Sequence, residues 1–293
     1  MTTALTGKFR DYLQLMRVDR PIGIYLLLWP TLWGLWFAAR GMPDLHVLFV
    51  FVAGTALMRS AGCAINDFAD RDVDPHVART RDRPLAAGRV TPEEAVRLFV
   101  AVSLIAFGLL TSLKNTLAIA LAVPAVILAA GYPFMKRLIS MPQAVLGLAF
   151  SWGIPMAYAA LRHDVAWGEV VPLMAANVCW VVAYDTYYAM VDRADDLKIG
   201  VKSSAILFGR HDRLAIALLQ ATALLLLIQL GLNSGRGEWY YGGIAVAAWL
   251  AVYQQWITRS REPAACFRAF LHNHWFGLAI FAGLALDFAL PAT

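Results

Sequence analysis

Hydrophobic and polar positions alternate here on the scale of whole helices, not of strands or amphipathic turns. Long apolar runs are separated by short charged segments. A helix needs about 20 mostly apolar residues to cross a bilayer, and runs bounded by charges give nine candidates: 21–39, 45–66, 98–113, 115–135, 138–161, 170–191, 214–235, 239–258 and 269–290. In lipid the backbone must satisfy its own hydrogen bonds, so these runs are predicted to be helices. Arg59, Asp185 and Asp287 interrupt the second, sixth and ninth runs. Ahead of the first run, Phe9, Tyr12, Leu13 and Met16 recur at helical spacing among Lys8, Arg10 and Arg17. They predict a short helix on the membrane surface within a cytoplasmic interfacial segment, 1–20.

Composition agrees. Of 293 residues, 60% are hydrophobic and 15% charged, against roughly 25% charged in a soluble domain, and the mean hydropathy is +0.59. A soluble globular protein, a disordered chain and an ordinary nucleic-acid binder are excluded. No obligate protein partner is evident. The first apolar run follows a charged segment, the wrong order for a cleavable signal peptide. Cys63, Cys179 and Cys266 are too scattered for a disulfide framework or a zinc site and read as small apolar residues.

The net charge of +5 follows from loop charges. The N-terminus and the loops after the even-numbered runs hold 20 Lys and Arg; the opposite loops hold 4, namely Arg40, Lys114, Arg162 and Arg236. The positive-inside rule therefore predicts a cytoplasmic N-terminus and, with nine spans, a periplasmic C-terminus.

Charge is scarce, so its clustering carries information. The second run ends in Asn66-Asp67-Phe68-Ala69-Asp70-Arg71-Asp72-Val73-Asp74, and the sixth in Asp192-Arg193-Ala194-Asp195-Asp196. Both fall on the predicted cytoplasmic face. Arg59, Asn66 and Asp70 are spaced i, i+7, i+11, as are Asp185, Asp192 and Asp196, so each trio falls on one face of its helix. Basic residues follow each motif: Arg79, Arg81 and Arg83 after the first, Lys198 and Lys202 after the second. Carboxylates and amides among guanidinium and ammonium groups suit a divalent cation bound together with phosphate. A calcium loop at Asp70, Asp72 and Asp74 fails, because Pro75 stands where glycine is needed and Arg81 where glutamate is needed. Asp67, Asp72 and Asp195 point away from the ladder faces and are expected to be solvated or to support the ligands. His76, His272 and His274 are weak signals.

At these residues the chain resembles the UbiA superfamily of intramembrane prenyltransferases. The strings that carry the resemblance are RPIGIYLLLWPTLWGLW from Arg20, NDFADRDVDPHVARTRDRPLAAG from Asn66 and YDTYYAMVDRADDLKIGVKSSAILFG from Tyr184. The resemblance runs from about Leu15 to Asp287. Its one departure is Ala194, where a third acidic residue is expected. It implies an all-α integral membrane protein, one domain over 1–293, with nine transmembrane helices around a central cavity under a cap of cytoplasmic loops. It also implies Mg²⁺-dependent transfer of a polyprenyl group from its diphosphate to an acceptor. In the members that this chain resembles, the acceptor is 4-hydroxybenzoate and the product feeds ubiquinone synthesis in the bacterial inner membrane. Other acceptors, or a secondary transporter, are the rival readings.

On this basis Asn66, Asp70, Asp74, Asp192 and Asp196 are the expected metal ligands, and Asp70, Asp192 and Lys136 the expected catalytic groups. Tyr132 and Lys136, read as stacked i, i+4 on the fourth helix, are expected to contact diphosphate with Arg79, Arg83, Lys198 and Lys202. Arg20 is expected to hold the acceptor carboxylate. Arg59 and Asp185 either pair with each other or face the aromatic substrate.

Overall fold

The computed structural model describes residues 2–290, and among these there is helix but no strand. A surface helix, α1 (Thr2–Leu15), precedes α2 (Ile22–Ala39), α3 (Leu45–Ala69), α4 (Pro92–Thr111) and α5 (Thr116–Gly131). Then come α6 (Pro142–Ser151), α7 (Gly153–Arg162), α8 (Trp167–Ile199), the short α9 (Ser204–Phe208), α10 (Asp212–Asn233), α11 (Glu238–Ile257) and α12 (Pro263–Ala289). Counting α6 and α7 as one broken crossing gives nine long segments. Eight are long and apolar enough to cross a membrane by length and composition. The ninth, α11, is 20 residues long but begins at Glu238 and carries Gln254 and Gln255 near its end. The chain is a multi-pass membrane protein whose helices surround a central cavity.

Several elements outrun the hydrophobic pattern. A capping box starts α4 six residues ahead of its apolar run: the Thr91 side chain accepts from Glu94 N, and the Glu94 side chain accepts from Thr91 N. At 33 residues α8 is about 50 Å long, well beyond the roughly 30 Å hydrocarbon core. Asp192 and Asp196 therefore sit on a helical extension, not in a loop. The fifth run, read as one helix, breaks between Ser151 and Gly153. Pro155 has no N–H to offer Ser151 O, and the Ser151 hydroxyl donates to Gly147 O at 2.7 Å.

Beneath the cavity lies an aromatic hub shared by α2, α8 and α12. Trp33 and Trp180 are 5.4 Å apart, and Trp180 stacks on Phe276 at 5.5 Å. Both indole N–H groups are satisfied, Trp33 by Gly277 O at 3.2 Å and Trp180 by Asn273 Oδ1 at 3.0 Å. The charge in the ninth run also has a local task. Asp287 accepts from Gly237 N at 3.0 Å and Tyr240 N at 3.3 Å, and it lies 3.4 Å from Arg236, so it caps the start of α11 from the neighbouring helix.

The surface helix forms ahead of the first span and is tied to the rest of the protein. Its polar side holds the protein: Lys8 Nζ and the Tyr12 hydroxyl reach the Glu94 carboxylate at 2.7 and 2.8 Å, and Asp11 accepts from Arg89 at 2.8 Å. Leu15 is fully buried against Ala64, Leu85, Val90 and Ala95. Phe9, 64% exposed, remains turned outward. These ties dock α1 on the loop after α3, because a carboxylate at the start of α4 gives its Lys and Tyr better partners than water does.

Helices α11 and α12 approach through glycines, as membrane helices do where backbones must come close. A Cβ on Gly243 would stand 2.5 Å from Ala279 O and 2.9 Å from Gly283 Cα, both backbone atoms, whereas one on Gly242 would meet nothing within 4 Å. Gly243→Ala is therefore expected to destabilise the protein by about 1–3 kcal/mol. Thermal unfolding in detergent should fall by several degrees for G243A and stay level or rise for G242A.

Candidate functional site

The two acidic ladders converge on one cavity of about 1320 Å³ at the end of the bundle where α3 stops and α8 runs on. Arg59, Asn66 and Asp70 line it from α3 and its C-terminal cap; Asp185, Asp192 and Asp196 line it from α8. The helical spacing is the cause. Residues seven and eleven apart return to one face, so each helix presents its trio as a strip descending from the mouth.

Cations tie these carboxylates down. Arg79, from the loop after α3, crosses to α8 and donates to both oxygens of Asp192, at 3.0 and 2.5 Å. Its guanidinium also lies over the Tyr188 ring, 4.4 Å from the centroid. Lys136 pairs with Asp70. Arg83 donates to Asp74 at 2.9 Å and to Asp67 at 3.2 Å. Asp196 has no ion-pair partner among the described residues and faces the cavity.

Burial sets the protonation pattern outside the spans. Burial raises the Asp70 carboxyl above the ordinary carboxylate range, with the Lys136 ammonium pulling the other way. Burial also pulls Arg83 down, but the Asp67 and Asp74 carboxylates more than offset it, and the guanidinium stays charged.

The Tyr132–Lys136 pair reaches the cavity by a different geometry from the one expected. Tyr132–Arg137 is a 3₁₀ segment, not a continuation of α5. At three residues per turn, positions four apart diverge by about 120°, so the side chains part. The Tyr132 hydroxyl receives Asn66 Nδ2 at 3.3 Å while Lys136 goes to Asp70. Arg137 secures the segment by donating to Ala69 O at the end of α3.

Other expected residues divide. Lys202 lines the cavity, with Nζ on Leu138 O at 3.1 Å. Lys198 does not: it is 73% exposed on the outer side of α8, 3.2 Å from Asp195. Arg20 is at the cavity mouth, with a side chain 76% exposed and 3.6 Å from Asp19. Arg59 and Asp185 both face the cavity but form no ion pair with each other. The Arg59 guanidinium lies 5.9 Å from the Phe150 centroid, and its buried Nε has no hydrogen-bond partner. Asp72 is 68% exposed, as expected. Ala194 is exposed, so the missing acid there costs the cavity nothing.

Of its two expected roles, Asp67 takes the supporting one and not the solvated one. It is 2% exposed and forms the centre of a buried ion-pair chain. Arg17, just past the end of α1, donates to its two oxygens at 2.8 and 3.0 Å, and Arg83 donates to one of the same oxygens and continues to Asp74. A carboxylate taken out of water needs such partners. The sequence signalled Arg17 only as one of many positive-inside charges, and Arg137 likewise.

The donor set fits a hard divalent cation. Asn66, Asp70, Asp192 and Asp196 offer only oxygen, and Mg²⁺ characteristically takes few protein ligands and completes its shell with phosphate and water. Among the described residues no three acidic, imidazole or thiol groups converge closely enough to hold an ion by themselves. This donor set therefore suits a cation shared with a phosphate. Below the charged rim the wall turns apolar and aromatic, with Leu26, Phe150, Tyr184, Phe267 and Phe270.

Comparison with known proteins points the same way. The UbiA prenyltransferase family model matches residues 27–277. A 4-hydroxybenzoate octaprenyltransferase of Thiobacillus denitrificans is 56% identical over 290 residues, covering 98% of this chain and 97% of that protein. A UbiA homologue from Aeropyrum pernix superimposes with a TM-score of 0.80 at 28% identity, over 90% of this chain and 97% of that one. One from Archaeoglobus fulgidus, solved with GPP and Mg²⁺, gives 0.68 at 19% identity, over 94% and 99%. With a family match over most of its length and a near full-length relative at this identity, the chain belongs to the UbiA prenyltransferase family.

Proposed function

We propose that this protein transfers a polyprenyl group from polyprenyl diphosphate to the ring carbon ortho to the hydroxyl of 4-hydroxybenzoate, as a step of ubiquinone synthesis. The observation that carries the reading is the meeting of two carboxylate ladders and their cations around one cavity with an apolar floor. The near full-length likeness to a 4-hydroxybenzoate octaprenyltransferase supports the choice of acceptor. All nine segments form one catalytic domain.

Asn66, Asp70, Asp192 and Asp196 would hold Mg²⁺, together with Asp74, which lines the same cavity and pairs with Arg83. Bound there, the metal would neutralise the diphosphate and make it a competent leaving group. Arg79, Arg83, Lys136 and Lys202 take up the remaining phosphate charge, and Tyr132 donates a hydrogen bond. The resting pairs suit this role: with diphosphate bound, Arg79 and Lys136 would exchange Asp192 and Asp70 for phosphate oxygens, and the two carboxylates would then be available to hold the metal.

As the allylic C–O bond breaks, positive charge develops on the prenyl carbon within reach of the Tyr132, Tyr184 and Tyr188 rings. The ring carbon of the acceptor attacks, a C–C bond forms, and the ring proton is lost to restore aromaticity. Residues around the cavity hold the partners together and exclude water, which would otherwise capture the cation. Arg59, a buried guanidinium without an ion-pair partner, is the natural receiver of the acceptor carboxylate. Arg20 stands at the mouth, where it would meet incoming anions, and Asp185 lines the same cavity as Arg59.

The site opens to the cytoplasm of a bacterial inner membrane, with the N-terminus cytoplasmic and the C-terminus periplasmic. The Lys and Arg asymmetry supports this orientation. In a cysteine-free background, single cysteines at exposed His76 and Lys198 should be labelled only from the cytoplasmic side, and one at Asp164 only from outside. Labelling of 76 and 198 from opposite sides would separate the two motifs and end the proposal.

Asp70→Asn and Asp192→Asn should each lower kcat by roughly 10²–10³-fold while the protein stays folded. Because both act on one leaving group, the double variant should be little worse than the poorer single one. Product formation measured by mass, with and without a divalent cation, checks this. Full activity in either variant, or turnover in the presence of a chelator, would sink it.

A further inference from the structure

Gly23 lies in the first turn of α2, buried, and lines the cavity. Its backbone is ordinary helix, so conformational freedom does not account for a glycine there, and glycine is a poor helix former. Space does account for it. A Cβ at this position would stand 2.5 Å from Arg59 Nη2 and 2.7 Å from Arg59 Cζ, and closer still to Nε. The planar guanidinium rests on the bare backbone of α2. Arg59 Nε is buried without a hydrogen-bond partner, and the guanidinium lies 5.9 Å from the centroid of the Phe150 ring. The guanidinium thus rests against the α2 backbone near the Phe150 ring, and no ion pair competes for its charge.

We infer that Gly23 is a specificity-determining position: it forms the seat that holds the Arg59 guanidinium at the depth required to receive a carboxylate-bearing aromatic acceptor. This rests on the reading of Arg59 as the carboxylate receiver. A methyl group at 23 removes the seat. Arg59 is long and flexible enough to move, so the helix can persist while the guanidinium is pushed off α2 into the space the acceptor carboxylate would use. Charge in the cavity is unchanged, and only its position shifts. A bidentate guanidinium–carboxylate contact depends strongly on position. The residues proposed to handle diphosphate, Asp70, Asp192, Arg79 and Lys136, belong to other elements of the site, so the prenyl donor should not register the change.

The test is a double-variant cycle with 4-hydroxybenzoate, its uncharged analogue 4-hydroxybenzamide, and octaprenyl diphosphate. Arg59→Gln should raise KM for 4-hydroxybenzoate roughly 10- to 150-fold, the range for loss of a charge-assisted bond. Gly23→Ala should raise it about 10-fold at nearly constant kcat. KM for octaprenyl diphosphate and for the benzamide should stay within about twofold. Adding G23A to R59Q should cause no further rise, because the group that the methyl displaces is already gone. If R59Q raises the acceptor KM but G23A does not, or if the two effects multiply, the seat is wrong and the role of Arg59 stands. If R59Q leaves the acceptor KM unchanged, the role of Arg59 falls and takes the seat with it. Should G23A fail to fold, G23A/R59Q should recover the fold. Failure in both backgrounds would mean that the methyl meets something other than Arg59, and would overturn the inference.

Discussion

The structure depends on one constraint: a charge brought into an apolar helical bundle must be answered by another charge or by a ligand. Around the cavity the answer is a set of cross-pairs, Arg79 with Asp192, Lys136 with Asp70, and Arg83 with Asp74 and Asp67. The first two join segments distant in sequence, while the Arg83 pairs fold the loop after α3 back on itself. The Arg79 pair bridges the loop after α3 to α8, and the Lys136 pair bridges the 3₁₀ segment after α5 to the end of α3. The polar cap is thus held by the same groups that would handle substrate. Such pairs add little net stability, because desolvation offsets most of their Coulomb attraction. Their worth lies in location, since groups that are already paired can be re-paired by a metal and a phosphate without stranding a charge.

The same constraint separates the supporting charges from the reactive ones. Asp67 sits in a closed chain with Arg17 and Arg83, with little room for a ligand. Asp212, fully buried, is held by Arg193 and by Arg261 at 2.9 Å, which ties the start of α10 to α8 and to the segment before α12. Asp287 caps α11. These carboxylates have complete sets of partners and hold the frame. Asp196 and Arg59 do not: one is a carboxylate facing the cavity without a cation, the other a guanidinium facing it without an anion. A charge that the protein leaves unanswered at the wall of a cavity is the clearest mark of where a ligand belongs.

Docking of α1 connects this polar network to the outside of the bundle. Through Arg17 the helix ends directly on Asp67, and through Lys8 and Tyr12 it holds Glu94 at the start of α4. Leu15 and Tyr12 pack against Ala64, Leu85 and Val90, while Phe9 of the expected membrane face stays turned outward. The sequence pattern predicts the amphipathic helix, but only the placement of Glu94 and Asp67 decides where the protein holds it.

The sequence by itself determined a great deal: the number and rough extent of the helices, the shared end of the bundle on which both motifs fall, and the two ladders that line the cavity. These follow from local rules, since apolar length defines a span and 3.6 residues per turn defines a face. The family strings added the chemistry. Only the tertiary structure decided the rest, because it depends on which distant backbone comes near. Whether Lys198 or Lys202 reaches the cavity turns on the path of the chain beyond α8. The burial of Asp67 turns on where α1 ends, and the parting of Tyr132 and Lys136 turns on a 3₁₀ segment that Arg137 pins to α3. The vacancy at Gly23 has meaning only because Arg59, thirty-six positions later, lies against it.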